Sequence, residues 1–258
     1  MMRVISLSCD GIFQAAARGL FEWLAGQDAE LICLQDLRAR VPEMEDRPEF
    51  QLAGFTSYYL DASDPLRDGV AIYTRALPKA LIYGFGLFSG EDTDGRYLQA
   101  DFEGLSVVSL LAPQGAEPEQ QETKTRFLTG LLAHMEKITR KRRRYIYCGN
   151  WGIAATAADL ENAAAHGDGP GFLPEDRQWW RQIQEQIGYA DAFRVANMDS
   201  DEFTWWPSGT LGKGDGWRTD TQVVSRDLVP TVEHAAIYKS RVFSSHAPVI
   251  VDYDIQDI

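Results

Sequence analysis

The sequence predicts an α/β protein in which two sheets pack face to face and helices cover their outer surfaces. Three observations predict it. The chain opens as a β-α-β unit, continues through short apolar segments punctuated by Gly, Asp and Pro, and carries one long amphipathic stretch near its middle.

The elements follow in order. Arg3 to Ser8 is β-branched and apolar, and Asp10-Gly11 ends it as a turn pair. Phe13, Ala16, Ala17, Leu20, Phe21 and Leu24 fall at helical spacing and predict one helix. Leu31 to Leu34 predicts a second, buried strand. Residues 40–54 are polar, contain two prolines and predict a surface loop. Strands are predicted at Thr56–Leu60, Val70–Thr74, Ala80–Tyr83, Arg96–Phe102 and Leu105–Leu111, with Glu103-Gly104 as a tight hairpin turn. Glu119 to Ile138 predicts a long helix that buries Phe127, Leu128, Leu131, Leu132 and Met135, and Tyr145–Cys148 a strand. Helical pieces are expected near 156–164 and 174–187. Strands are expected near Phe203–Trp205, Thr219–Val224, Val232–Ile237 and Ala247–Tyr253. No fixed-period repeat, low-complexity tract or composition break interrupts this pattern, so one domain over residues 1–258 is expected.

Composition narrows the function. A net charge of −13 and 45% hydrophobic residues describe an ordinary globular protein. The acidic balance argues against a protein that coats nucleic acid unaided, because that affinity comes mainly from Lys and Arg on phosphates. Cys9, Cys33 and Cys148 are too few for a disulfide framework and match no zinc-ligand spacing. They read as small hydrophobes at buried strand ends. No basic region leads into an apolar stretch at the N-terminus, and no window approaches the ~18–20 apolar residues of a membrane span. No membrane association is expected, and a reducing cytoplasm fits.

One segment departs from the acidic balance. Lys137 to Arg144 holds six cations in eight residues, five of them consecutive: Arg140, Lys141, Arg142, Arg143 and Arg144. One or two would complement the dipole of the preceding helix. Five neighbours repel one another and add nothing to a fold. The run is expected to face solvent and to bind phosphate or a partner, with a solvated helix end as the plainer alternative.

Several segments, in order, resemble the endonuclease/exonuclease/phosphatase family, in particular its exonuclease III-like enzymes. They are Asp10-Gly11-Ile12, Leu34-Gln35-Asp36, Gly69-Val70-Ala71, Gly95-Arg96, Pro113-Gln114-Gly115, Gly171 to Trp179, Arg218-Thr219-Asp220 and His246-Ala247-Pro248. The resemblance spans essentially the whole chain. It implies a four-layer α/β/β/α sandwich with its active site at the strand ends.

The resemblance also implies a chemistry: a Glu that holds a divalent metal, an Asp that activates water, and an Asp–His pair that supports phosphate chemistry. Asp220 and His246 stand as the family has them. Elsewhere the site is altered. Ser8 replaces an Asn, Asp36 is one methylene shorter than the metal Glu, and Leu111 replaces a Tyr. Asn150 and Gly152 stand where the water-activating Asp and its Asn belong, and Ser245 replaces the Asp before His246. An amide such as Asn150 has no useful basicity near neutral pH, and removing one acid/base group costs about 10²–10⁴-fold. Leu111 and Trp151 are expected to add bulk to the site. These positions therefore read as vestigial, with no catalytic residue, no metal site, no cofactor and no enzymatic activity expected. Asp220, His246 and Asp36 can also be read as hydrogen-bonded structural groups.

This pattern of loss, with Tyr145–Gly149, Thr204–Pro207 and Gly216-Trp217-Arg218, resembles the catabolite repression control branch of the family. That implies a translational co-repressor whose partners are the RNA chaperone Hfq and A-rich mRNA, with little RNA binding alone and some self-association in the assembly. The alternative is a metal-dependent nuclease or phosphodiesterase with rearranged ligands at Asp10, Asp36 and Asp220. A generic interaction domain is the third reading.

Overall fold

The computed structural model describes residues 1–141 and 143–256. The chain begins with β1 (Met2–Ser8), α1 (Ile12–Ala17), α2 (Leu20–Ala25), β2 (Leu31–Gln35) and α3 (Val41–Glu45). It continues through β3 (Thr56–Leu60), β4 (Val70–Thr74), β5 (Ala80–Tyr83), β6 (Tyr97–Asp101) and β7 (Leu105–Leu111). The long helix α4 (Pro118–Thr139) leads into β8 (Arg144–Asn150), then α5 (Ala163–His166) and α6 (Pro174–Arg181). The last elements are β9 (Ala190–Asp191), α7 (Ala192–Ala196), β10 (Asp220–Val224), β11 (Val232–Ile237) and β12 (Val249–Tyr253).

These strands form two six-stranded sheets, ordered β11-β12-β1-β2-β4-β3 and β5-β6-β7-β8-β10-β9. Each holds one parallel pair, β1/β2 and β7/β8, in an otherwise antiparallel arrangement. The inner faces share a core that includes Val4, Cys33 and Ile72 from one sheet and Val107, Ile146 and Cys148 from the other. α1 and α2 cover the first sheet through Ile12, Leu20, Phe21 and Leu24. α4 and α6 cover the second through Phe127, Leu131, Met135, Trp179 and Trp180. The result is the four-layer α/β sandwich that the sequence predicts.

Two buried glutamines tie the sheets together. Gln35 donates to Ser109 Oγ at 3.0 Å, and Gln222 donates to the Val4 carbonyl at 2.9 Å while accepting from Tyr253 OH at 2.8 Å. Burying an amide is costly unless its polar atoms are bonded, and here they bond across the sandwich. At one end the sheets also meet by backbone. Gly69, before β4, donates its N–H to the Gly95 carbonyl, before β6, at 3.0 Å. Gly95 has φ +69°, and a Cβ there would lie 2.7 Å from the Gly69 nitrogen.

Several sequence expectations change. The first predicted helix is two, because Gly19 adopts a left-handed φ of +83° and restarts the chain at Leu20. The predicted loop at 40–54 contains α3 and a short 3-10 turn that bury Met44 and Phe50. Residues near 156–164 form a 3-10 turn and the short α5 rather than one helix. The segment near 174–187 is α6 followed by a π-helical stretch. Phe203–Trp205 makes isolated bridges at Trp205 rather than a strand. Among the described residues, no helix is long and apolar enough to cross a membrane.

Candidate active site

The topology gathers the site. β1 and β2 run parallel and end together, with Ser8 opposite Gln35. β7 and β8 also end together, with Leu111 opposite Asn150, and antiparallel β10 begins at the same level, with Asp220 opposite Asn150. The loops that follow or precede these strands therefore leave one edge of both sheets. They bound a cleft of about 450 Å³ whose lining includes Asp10, Asp36, Arg38, Asp68, Leu111, Asn150, Gly152, Trp205, Trp217 and His246.

Backbone strain concentrates here. Asp10, Asp36, Arg38 and Asp68 all adopt φ between +50° and +57°. Non-glycine residues in this region cost of order 1–3 kcal/mol each and persist where the surroundings hold them. At Asp10-Gly11 and Asp68-Gly69 the Asp-Gly turn signal is legible in the sequence. At Asp36 and Arg38 it is not.

His246 and Asp220 form the deepest polar contact. The imidazole Nδ1 lies 2.8 Å from Asp220 Oδ2, and both side chains are almost fully buried. The same carboxylate oxygen accepts from Thr204 Oγ1 at 2.7 Å and Thr219 Oγ1 at 3.1 Å. With Nδ1 held, Nε2 is the remaining polar atom of a residue that lines the cleft. Burial alone lowers the His246 pKa. The charge and hydrogen bond of Asp220, helped by Asp10 and Asp36, outweigh burial and raise it. Trp205 stacks on the imidazole, with centroids 6.0 Å apart and planes at 25°.

Asp10 and Asp36 converge on one guanidinium. Arg38 donates from Nε to Asp36 Oδ1 at 3.0 Å and from Nη2 to Asp36 Oδ2 at 2.6 Å, and Nη2 lies 3.5 Å from Asp10 Oδ1. Asp10 Oδ2 accepts from the Ser245 N–H at 2.7 Å and from Ser245 Oγ at 2.5 Å. Burial pushes the Asp10 carboxyl up, but His246, the Ser245 hydrogen bonds and Arg38 hold it below its ordinary value.

The remaining expected site residues separate into two groups. Asn150 turns both amide ends inward, donating to Ser8 Oγ at 3.3 Å and accepting from the Gly152 N–H at 3.1 Å. Leu111 lines the cleft as expected. Trp151 does not. It is buried among Tyr147, Trp179 and Trp180, and its Nε1 donates to the Thr221 carbonyl on the helix side of the sheet. Successive residues of a strand end face opposite ways, so the indole adds no bulk to the site.

A divalent metal does not fit the groups as they stand. All four carboxylate oxygens of Asp10 and Asp36 are engaged by Arg38 or Ser245. Asp220 sits behind His246, and among the described residues no three His, Cys, Asp or Glu side chains gather as a metal cluster.

The basic run lies elsewhere. β8 begins at Arg144 and reaches the cleft only at Asn150, six residues and about 20 Å away at strand rise. Arg140 is exposed and pairs with Glu136, and Lys141 is exposed. Arg143 departs from the expected solvent-facing row. It is half-buried, donating from Nη2 to the Phe102 and Leu105 carbonyls at 2.6 and 2.8 Å and from Nε to Ser106 Oγ at 2.5 Å. Arg144 is half-buried beside the Gly104 carbonyl. Arg142 lies outside the described residues.

Comparison with known proteins points to nucleases. No family model matches the chain. An exodeoxyribonuclease of Bacillus subtilis is 28% identical over 96% of this chain and 98% of its own length. A DNA-(apurinic or apyrimidinic site) endonuclease of Dictyostelium discoideum is 24% identical over 98% of this chain and 71% of its own. Among solved structures, an AP endonuclease from Archaeoglobus fulgidus superposes with a TM-score of 0.86 at 19% identity, covering 99% of this chain and all of that one. Over nearly its whole length the chain is similar to exonuclease III and AP endonuclease proteins, and it shares their fold. A 3′-5′ exonuclease from Neisseria meningitidis shares the same fold, with a TM-score of 0.81 over 98% of this chain.

Similarity to these nucleases overturns the expectation that the chain is not an enzyme. Relatives matched over 96–98% of this chain are named as nucleases, and they point to an enzyme. The Asp220–His246 pair is assembled, Trp151 leaves the cleft open, and Asp10 and Asp36 converge beside it.

Proposed function

We propose that the chain is a phosphodiesterase of the exonuclease III type that acts on the backbone of nucleic acid in the cleft between the sheet ends. The observation that carries this reading is the buried Asp220–His246 pair, set in a cleft whose other wall carries Arg38.

The residues present divide the work. Asp220 fixes the imidazole through Nδ1 and favours its protonated form, which places a proton at Nε2 against a phosphate or leaving oxygen. Water attacks phosphorus, the bond to the leaving oxygen breaks, and that oxygen takes the Nε2 proton while the water's proton passes to solvent. Asn150, with its amide tied to Ser8 and Gly152, is not the base. Trp205 and Trp217 supply faces on which a base or sugar can rest, as aromatic rings do for single strands.

The test is cleavage of three labelled substrates, an abasic duplex, single-stranded DNA and single-stranded RNA, by wild type and His246→Ala. Product that accumulates with wild type and falls by roughly 10²-fold or more in the variant is expected. Equal traces from both proteins on all three substrates would sink the proposal.

A second reading has its own observation. Arg140 and Lys141 are exposed far from the cleft, on a chain of net charge −13. This supports a role for that surface in a translational assembly with Hfq on A-rich mRNA, as the catabolite repression control branch implies. Contacts to a preassembled complex benefit from high effective concentration. A mobility shift of A-rich RNA that needs both Hfq and this protein, and weakens on Arg140→Glu/Lys141→Glu, is the expected result. An unchanged shift would remove the surface from that role.

A further inference from the structure

We propose that Arg38 is the resident cation of the cleft: it holds the carboxylates of Asp36 and Asp10, keeps a divalent metal ion from them, and offers its remaining N–H groups to a phosphodiester oxygen, so that the cleft binds nucleic-acid backbone without a metal. The second half rests on the phosphodiester reading above. The first half does not.

The donor count comes first. A guanidinium has five N–H groups in a planar fork. Nε and Nη2 of Arg38 face Asp36 in a two-point contact, and Nη2 also faces Asp10. Such forked pairs are charge-assisted and geometrically specific. The two N–H groups of Nη1 donate to no protein atom among the described residues, and the side chain is 44% exposed. They lie on a residue that lines both the main cleft and the smaller groove beside it, bounded by Phe13, Glu43 and Leu66.

The acceptor count agrees. A hard divalent ion takes carboxylate oxygens in near-ideal geometry. To enter here it would have to displace the Arg38 fork from both oxygens of Asp36 and from one of Asp10, and Ser245 holds the other with two hydrogen bonds. The left-handed φ at Asp36 and at Arg38 brings the two side chains face to face two residues apart, so the contact is built into a strained turn.

Charge makes the arrangement useful. The cleft lining carries Asp10, Asp36 and Asp68 against Arg38 and Arg67, with His246 balanced by Asp220 and Asp68 neutralised by Arg96 at 2.8 Å. With Arg38 present, the rest balance. Without it the lining is net negative and repels phosphate. Lysine could neutralise the same carboxylates but presents a point charge and no second edge.

Two measurements test the proposal. Manganese binding is followed by titrating free Mn²⁺ against the protein, with melting temperature as the check on folding. Wild type is expected to take up no ion at about 1 mM, where a Kd this weak corresponds to about −4.1 kcal/mol. Arg38→Gln is expected to gain a site that Asp36→Asn removes. Arg38→Lys, which keeps a charge, is expected to exclude the ion as wild type does. Binding of a short fluorescent phosphorothioate oligonucleotide is then measured by anisotropy in EDTA and in magnesium. Wild type is expected to bind equally in both, and Arg38→Gln to bind roughly tenfold more weakly in EDTA. Manganese uptake by wild type, abolished by Asp36→Asn, would overturn the exclusion. Oligonucleotide binding that collapses in EDTA would overturn the metal-free clamp. A wild type that binds no oligonucleotide in either buffer overturns the phosphodiester reading, while the manganese titration still decides what Arg38 does.

Discussion

Lys124 and Asp176 form an ion pair of 3.1 Å with both side chains sealed from solvent. Lys124 Nζ also donates to the Gly152 carbonyl at 2.9 Å. The pair thus joins α4 and α6 beneath the turn that carries Asn150 and Gly152. Breaking a buried pair leaves one uncompensated charge and costs about 3–5 kcal/mol, whereas replacing both partners by apolar groups is often nearly neutral. Urea unfolding of Lys124→Met is expected to show a loss of that size, and Lys124→Met/Asp176→Leu to recover most of it. A single substitution that costs under about 1 kcal/mol would show that the pair is not what holds this turn.

The Asp220–His246 pair makes the site pH-dependent, with a definite sign. The His246 pKa lies above its ordinary value of 6.5 because Asp220, and then Asp10 and Asp36, outweigh the effect of burial. A raised folded pKa means that the native state binds the proton more tightly than the unfolded chain. The resulting stability is fully present below the unfolded value of about 6.5 and is lost as pH rises through the folded value. NMR titration of the His246 ring is expected to give a midpoint above 6.5 in wild type and a lower one in Asp220→Asn. Oligonucleotide affinity should fall as pH passes the wild-type midpoint. A midpoint below 6.5 would contradict the assignment.

Gly95 is where the two sheets touch by backbone at the cleft end. Alanine there would bring a Cβ within 2.7 Å of the Gly69 nitrogen and 3.0 Å of Ala62, at a left-handed φ. Neither neighbour is a flexible side-chain end. Gly95→Ala is expected to lower stability by about 1–3 kcal/mol and to weaken oligonucleotide binding, because Asp68 and Arg38 hang from the same turn. Unchanged melting and binding would mean that the sheets separate there without consequence.

Much of this was legible in the sequence, for reasons that differ by residue. Thr56–Leu60, Val70–Thr74, Leu105–Leu111 and Val232–Ile237 match the observed strands residue for residue. Each is a β-branched or aromatic run bounded by turn residues. Gly19 escaped because apolar spacing continues through it from Ala16 to Leu20. α7 is only five residues long and is set by Asp191, which accepts from the Phe193 and Arg194 N–H groups, too local a device to carry a period. In the site, motif order placed Asp36, Asn150, Asp220 and His246 together. The direction of Trp151 was available from strand alternation. The Arg38 fork was not, because it depends on two left-handed backbones that no residue type there announces.

The basic run divides into surface and structure. Arg143 ties the β6–β7 hairpin through the Phe102 and Leu105 carbonyls; replacing it removes the side-chain donor from Phe102, while Leu105 still accepts from the Phe102 N–H. Arg143→Ala is expected to cost about 1–3 kcal/mol. Arg140→Ala, at a side chain 77% exposed, is expected to leave the melting temperature unchanged. Thermal unfolding of both variants checks this, and equal effects would show that Arg143 is no more structural than its exposed neighbour.

Asn150 is the position at which one atom should change the chemistry most. Its side chain lies in the cleft at the end of β8, beside Ser8 and opposite Asp220. As an amide it has no proton to accept at neutral pH. Asn150→Asp keeps the shape, retains an acceptor for the Gly152 N–H, and turns the Ser8 hydroxyl from acceptor to donor. The new carboxylate would line the same cleft as the His246 imidazole, giving the site a base beside its proton donor. A positioned general base contributes about 10²–10⁴-fold, and the altered surroundings favour the lower end of that range. Cleavage of an abasic duplex by Asn150→Asp is therefore expected to exceed wild type by roughly 10²-fold, and His246→Ala in the same background should remove the gain. Folding is checked by melting temperature, since a second carboxylate near Asp220 costs some stability. A folded Asn150→Asp protein that cleaves no faster than wild type would show that water cannot be placed between Asn150 and the phosphate, and the search for the attacking group would move to the other wall of the cleft.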